Sequence, residues 1–153
     1  MYPRNLVVDL MNRTILNLEY IEKNSNQNGP YEVTQLINSF LGALAHPWEK
    51  WKDDLKNISL KKAKEMGWPE VDNKLKSDSN PRDLEGLIRY LRNGIAHGNI
   101  EFTPNENNII YKIRIWNEYP MKHHKRTWET VLEITTLRKL LYCFNELAKE
   151  LPK

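Results

Sequence analysis

Three residues in one stretch, Leu91-Arg92-Asn93-Gly94-Ile95-Ala96-His97-Gly98, are of types that can act on a phosphodiester. Arginine is always charged and can hold two phosphate oxygens at once. Imidazole has the one unperturbed pKa that lets it take or give a proton near neutral pH, and an amide can orient a reacting group by hydrogen bonding. Arg92, Asn93 and His97 therefore make a coherent candidate site. The same residues have a plainer reading, with Arg92 a solvated surface charge and His97 a helix-end residue favoured by the helix dipole. A short spacing match does not by itself separate the two.

The element that must carry these residues is an amphipathic helix expected over 81–97. Asn80 is an N-cap type, Pro81 suits the first helical position, and Asp83 and Glu85 bring negative charge to the positive end of the dipole. Leu84, Leu87, Ile88, Leu91 and Ile95 recur at three- and four-residue intervals and should be buried, whereas Glu85, Arg89, Asn93 and His97 form a polar ridge. Gly94 is expected to interrupt the helix and Gly98 to end it. Five helical steps separate Arg92 from His97, roughly 140° around an ideal axis, so a straight helix does not aim both at one phosphate. Either Gly94 lets the backbone bend, or a second subunit brings its own motif opposite.

Around this helix the periodicity predicts three others, over 3–24, 31–46 and 127–151. The first follows from Val7, Leu10, Met11, Thr14, Leu18 and Ile21, and the second from Val33, Leu36, Ile37, Phe40, Leu41 and Leu44 after a turn at Asn28-Gly29-Pro30. His46-Pro47 should close the second helix, because a residue before proline is pushed out of the helical region, and His46 itself could cap carbonyls or line a pocket. Ile134, Leu137, Leu141, Phe144, Ala148 and Leu151 define the last helix. Residues 48–79 are expected to give one or two short helices and a loop. Their tryptophans and lysines suit either packing or contact with single-stranded RNA. After Gly98, Ile100 and Phe102, then Tyr111, Ile113 and Ile115, alternate with polar residues about a turn at Asn105–Asn108, which predicts a β-hairpin with Lys112 and Arg114 on its open face. Lys122-His123-His124-Lys125-Arg126 is the densest basic cluster. Adjacent histidines without a third spaced ligand make a poor metal site, which leaves a phosphate contact or a solvated loop.

Composition bounds the rest. With 153 residues, 28% charged and 40% hydrophobic, the expectation is one domain over 1–153 with a real core. The net charge of +3 is compatible with a polyanionic partner without requiring one. Cys143 is the only cysteine, so it forms no intrachain disulfide and reads as a small buried hydrophobe. The absence of a long apolar run argues against a secretory leader or a membrane span and points to the cytoplasm.

Arg-Asn-x-x-x-His-Gly at the end of an apolar-striped helix, in a short mostly helical chain, resembles the HEPN domain family. Its members carry Arg-x(4–6)-His with a polar residue after the arginine, positions filled here by Arg92, Asn93 and His97. The resemblance implies an all-α four-helix bundle, here with a small β-hairpin inserted before the last helix. It also implies a homodimer that cleaves RNA without a metal or other cofactor at a site shared between subunits, in a toxin or anti-phage setting that can include a cognate antitoxin. Arg92, Asn93 and His97 would be the catalytic residues. Lys112, Arg114, Lys122, Lys125 and Arg126 are the candidate RNA contacts. A tyrosine that often stands two residues after the histidine in toxins paired with a nucleotidyltransferase is replaced by Asn99, so its modification does not carry over. The rival expectation is a non-catalytic helical module that binds RNA or a protein.

Overall fold

A computed structural model describes residues 6–26, 32–76, 79–119 and 123–152, except the side chains of Ala45 and His46. Helices α1 (Leu6–Asn24), α2 (Glu32–Lys56), α3 (Leu60–Glu65) and α4 (Leu84–Ala96) precede strands β1 (Ile100–Pro104), β2 (Ile110–Tyr119) and β3 (Lys125–Glu133), and α5 (Ile134–Glu150) follows them. The strands form one antiparallel sheet in the order β1-β2-β3. The architecture is mixed α/β, which corrects the expectation of an all-α four-helix bundle with a hairpin. The expected turn at Asn28-Gly29-Pro30 and the side chain of His46 lie outside the described residues.

The third strand is what the helical reading of 127–151 missed. Trp128, Thr130 and Leu132 are buried on one face of β3 and stand opposite Asn117, Ile115 and Ile113 of β2. This is period-two burial, and pairing with β2 satisfies backbone groups that a helix would have satisfied internally. The last helix therefore begins only at Ile134. The other edge of β3 is closed by the segment after α3. The backbone N–H of Lys74 donates to the Glu129 carbonyl at 2.7 Å, and the Glu129 N–H donates to Asn73 Oδ1 at 3.2 Å, leaving less free edge for pairing with another chain.

Helix α2 runs through Pro47 instead of stopping there. An interior proline costs about 3 kcal/mol. Continuing the helix buries Trp51 and Leu55, at 1% and 0% exposure, and each such side chain returns about 1.5–3 kcal/mol. Trp51 Nε1 also donates to the Pro152 carbonyl at 2.8 Å, tying this added length to the C-terminal segment. Burial downstream therefore outweighs the local break.

Met11 and Leu18 turn the buried face of α1 toward the same core as α2, α4, α5 and the sheet, and Ile15 is buried beside them, whereas Leu10, expected inside, is 48% exposed. Cys143 is half-buried, and burial pushes its thiol pKa up, as suits a packing residue. No helix among the described residues is long and apolar enough to cross a membrane.

Helices α1 and α5 are also joined by a polar network. Arg138 holds Glu22 through Nε and Nη2 at 2.8 and 2.9 Å, and the Tyr142 hydroxyl donates to Glu19 Oε1 at 2.7 Å. Burial, then the hydrogen bond to Glu19, push the Tyr142 phenol up to about 12 from 10.0. Above pH 10 the unfolded phenol ionises while the folded one stays protonated, so this group's contribution to stability falls as pH rises toward 12. The stability gap between the parent protein and Tyr142→Phe should therefore narrow across that window in denaturant titrations. A gap constant with pH would contradict this environment.

Candidate functional site

Helix α4 starts later than its sequence suggests. Asp83, not Asn80, is the N-cap, and its side chain accepts from the Gly86 N–H at 2.8 Å. Pairing fixes this start: the Leu84 N–H donates to the Ile58 carbonyl at 2.9 Å, and Ser59 and Asp83 form an isolated β-bridge. Leu84, Leu87, Ile88, Leu91 and Ile95 are all buried, as their spacing requires. Glu85 is buried too, and its carboxylate meets Arg89 Nε at 3.1 Å.

Gly94 does not interrupt the helix. The His97 N–H donates to the Asn93 carbonyl at 3.0 Å, so the helical ladder continues past it. Its role is close approach. A Cβ at Gly94 would lie 2.5 Å from Ile115 Cγ2 and 2.9 Å from the Trp116 carbonyl oxygen, where α4 crosses β2. Gly98 ends the helix as expected, at φ +70°. Its N–H donates to the Ile95 carbonyl at 3.0 Å, and that of Asn99 donates to the Gly94 carbonyl at 2.8 Å, which is a Schellman closure. The Trp116 N–H then donates to the Asn99 carbonyl at 3.1 Å, and Asn117 Nδ2 donates to the Tyr90 carbonyl at 3.0 Å. The motif thus sits at a helix end fastened to the sheet.

Within it, Arg92 and Asn93 are in contact, and Arg92 Nη1 donates to Asn93 Oδ1 at 3.3 Å. The guanidinium carbon of Arg92 lies 4.8 Å from the ring centroid of Trp48, on α2. Arg92 also differs from the other arginines in described helices and strands. Arg13, Arg89, Arg114, Arg126 and Arg138 each pair with a carboxylate, whereas Arg92 has no such partner among the described residues. His97 is exposed at the C-cap, one turn beyond Asn93 on the same ridge. Its side chain has no hydrogen-bond or ion-pair partner among the described residues. The structure thus brings Arg92 and Asn93 together and leaves His97 separate, on an unbroken helix.

The candidate RNA contacts lie elsewhere. Ile113, Ile115 and Asn117 face α4 and the core, so alternation places Lys112, Arg114, Trp116 and Glu118 on the opposite face of the sheet. There Arg114 lies 3.8 Å from both Glu101 and Glu129. Arg126 pairs with the same Glu129 and stacks 4.1 Å over Trp116. Trp116 Nε1 donates to Glu118 Oε1 at 2.8 Å, and His124 Nδ1 lies 2.9 Å from Glu118 Oε2. These two hydrogen bonds hold the Glu118 carboxyl below its ordinary range. Lys125 is exposed at the start of β3, and Lys122 lies outside the described residues.

Trp48 is a residue whose helical spacing favours core packing over RNA contact. It is half-buried against the core while Arg92 occupies its ring. No local pattern links residues this far apart; only the packing of α2 on α4 does so.

Fold and site together define a small mixed α/β domain that presents an Arg-x4-His motif on the last turn of a helix packed against a three-stranded sheet. The chain belongs to the HEPN family whose model is described as HEPN pEK499 p136, which matches residues 1–153. No curated protein and no solved structure matches it.

Proposed function

We propose that this HEPN protein is a metal-independent endoribonuclease that acts as a homodimer in a toxin or anti-phage setting. The observation that carries the reading is Arg92, held by Trp48 and Asn93 yet free of any carboxylate among the described residues. A pre-oriented, uncompensated guanidinium suits an anionic ligand supplied from outside, and the two non-bridging oxygens of a phosphodiester can accept its fork. In the proposed reaction the ribose 2′-oxygen forms a bond to the adjacent phosphorus and loses its proton to one imidazole. The bond from phosphorus to the 5′-oxygen breaks, and that oxygen takes a proton from a second imidazole. His97 and His97 of the partner subunit fill these two roles. Arg92 neutralises charge gathering on the phosphate oxygens, and Asn93 orients the phosphate. The products are a 2′,3′-cyclic phosphate and a 5′-hydroxyl, and DNA is resistant because it lacks the nucleophile.

The unbroken α4 supports the shared site. With Gly94 packed on β2, the backbone does not bend there to swing Arg92 and His97 together, so a second copy is the simpler source of the missing group. Lys122, Lys125, Arg126, Lys112 and Arg114 then serve as outer phosphate contacts for RNA passing round the sheet, with Lys125 the most open of the described ones. A cognate antitoxin would act by covering the motif face.

The test mixes Arg92→Ala with His97→Ala subunits, each first shown to be folded, dimeric and inactive alone. Because the proposed site takes a His97 from each chain, the mixed dimer, which holds a single His97, should stay inactive. Recovery in a verified heterodimer would reject the two-imidazole site in favour of one that takes arginine from one chain and histidine from the other, and a monomer with full activity rejects the shared site altogether. The second reading, a non-catalytic RNA- or protein-binding module, draws on the lack of a partner that would orient the His97 ring. It is favoured if parent and His97→Ala proteins both bind RNA and neither cuts it.

A further inference from the structure

We infer that Trp48 is the positioning residue for Arg92, holding the guanidinium ready for phosphate without neutralising it. The inference rests on the reading of Arg92 as a phosphate ligand. A carboxylate would fix an arginine equally well, as Glu85 fixes Arg89 and Glu22 fixes Arg138, but it would cancel the charge the site needs. An aromatic face attracts the cation through its quadrupole and leaves the N–H fork free at its edge. Among the described residues, Nη1 is the guanidinium nitrogen engaged, with Asn93.

The indole carries a further mark. Trp48 Nε1 is buried with no hydrogen-bond partner among the described residues, and a buried donor without an acceptor is unfavourable. Were Trp48 only filling space, an apolar side chain would do so without that penalty, so what the tryptophan offers is its broad π face. Lys52, one turn on along α2, also sits 5.9 Å from the ring, but its ammonium lies 3.6 Å from Glu49, whereas the charge of Arg92 stays open. The continuation of α2 through Pro47 brings Trp48 to this place against α4.

The probe is a 2′-deoxy oligonucleotide, which offers phosphates and is not cut. Trp48→Met should weaken its binding on the order of tenfold, the worth of one cation–π contact, and Trp48→Phe should restore most of that. Adding Trp48→Met to Arg92→Ala should cost little more, because the indole acts only through the guanidinium. In NMR the Arg92 Nε–H resonance should move in Trp48→Met, and the Trp48 indole N–H should move in Arg92→Ala, a change at a half-exposed position that leaves the core intact even if Trp48→Met folds poorly. Independent effects in the binding cycle, or an indole resonance that ignores Arg92→Ala, overturn the proposal. If these couplings hold while the parent protein cuts no RNA, the ribonuclease reading fails and the pairing stands.

Discussion

His97→Ala is expected to lower RNA cleavage by about 10²- to 10⁴-fold, the range for losing a proton-transferring side chain, while leaving thermal stability nearly unchanged. The two outcomes separate because of where the residue sits. His97 is exposed, and the contact it gives the fold is its backbone N–H to the Asn93 carbonyl, which alanine keeps. Exposed substitutions of this kind change stability by about 0.5 kcal/mol or less. Cleavage should be measured on purified protein with a chelator present. Activity that vanishes in chelator and returns with one divalent ion would reject the metal-independent mechanism. A loss of activity matched by a loss of folding would mean that His97 is structural.

Gly94→Ala should destabilise the protein, against what helix propensity alone predicts. In an exposed helix, alanine is favoured over glycine by about 1 kcal/mol. Here the added Cβ would stand 2.5 Å from Ile115 Cγ2 and 2.9 Å from the Trp116 carbonyl oxygen. Ile115 is fully buried, and a carbonyl within a sheet ladder cannot rotate aside. Overpacking of this sort costs about 1–3 kcal/mol and should exceed the propensity gain. For a chain of this length each kcal/mol lowers the melting temperature by about 2–4 °C. Because Gly94 stands between Asn93 and His97, the displacement also moves the motif, so activity should fall more steeply than stability. A melting temperature equal to or above that of the parent would refute the close crossing of α4 on β2.

The buried stripe of α4 and the stop at Gly98 were legible in the sequence, as were the alternation of β2 and the packing role of Cys143. Each depends on local rules: spacing that sorts side chains onto faces, and a residue type that tolerates a left-handed turn. The motif residues were legible by type for the same reason. Proline at position 47, the start of α4 and the segment 127–133 were misread, because in each case a distant partner outweighed the local signal. Trp51 and Leu55 gain enough burial to carry α2 past Pro47, the Ser59 bridge moves the cap from Asn80 to Asp83, and β2 draws Trp128, Thr130 and Leu132 into a strand. Gly94 looked like a helix break, since a sequence shows the missing side chain and not the strand that requires its absence. Residue types alone mark Arg92, Asn93 and His97 as chemically suited to a phosphate; that Arg92 rests on Trp48, with no carboxylate partner among the described residues, follows from the packing of two helices whose contact no local pattern encodes.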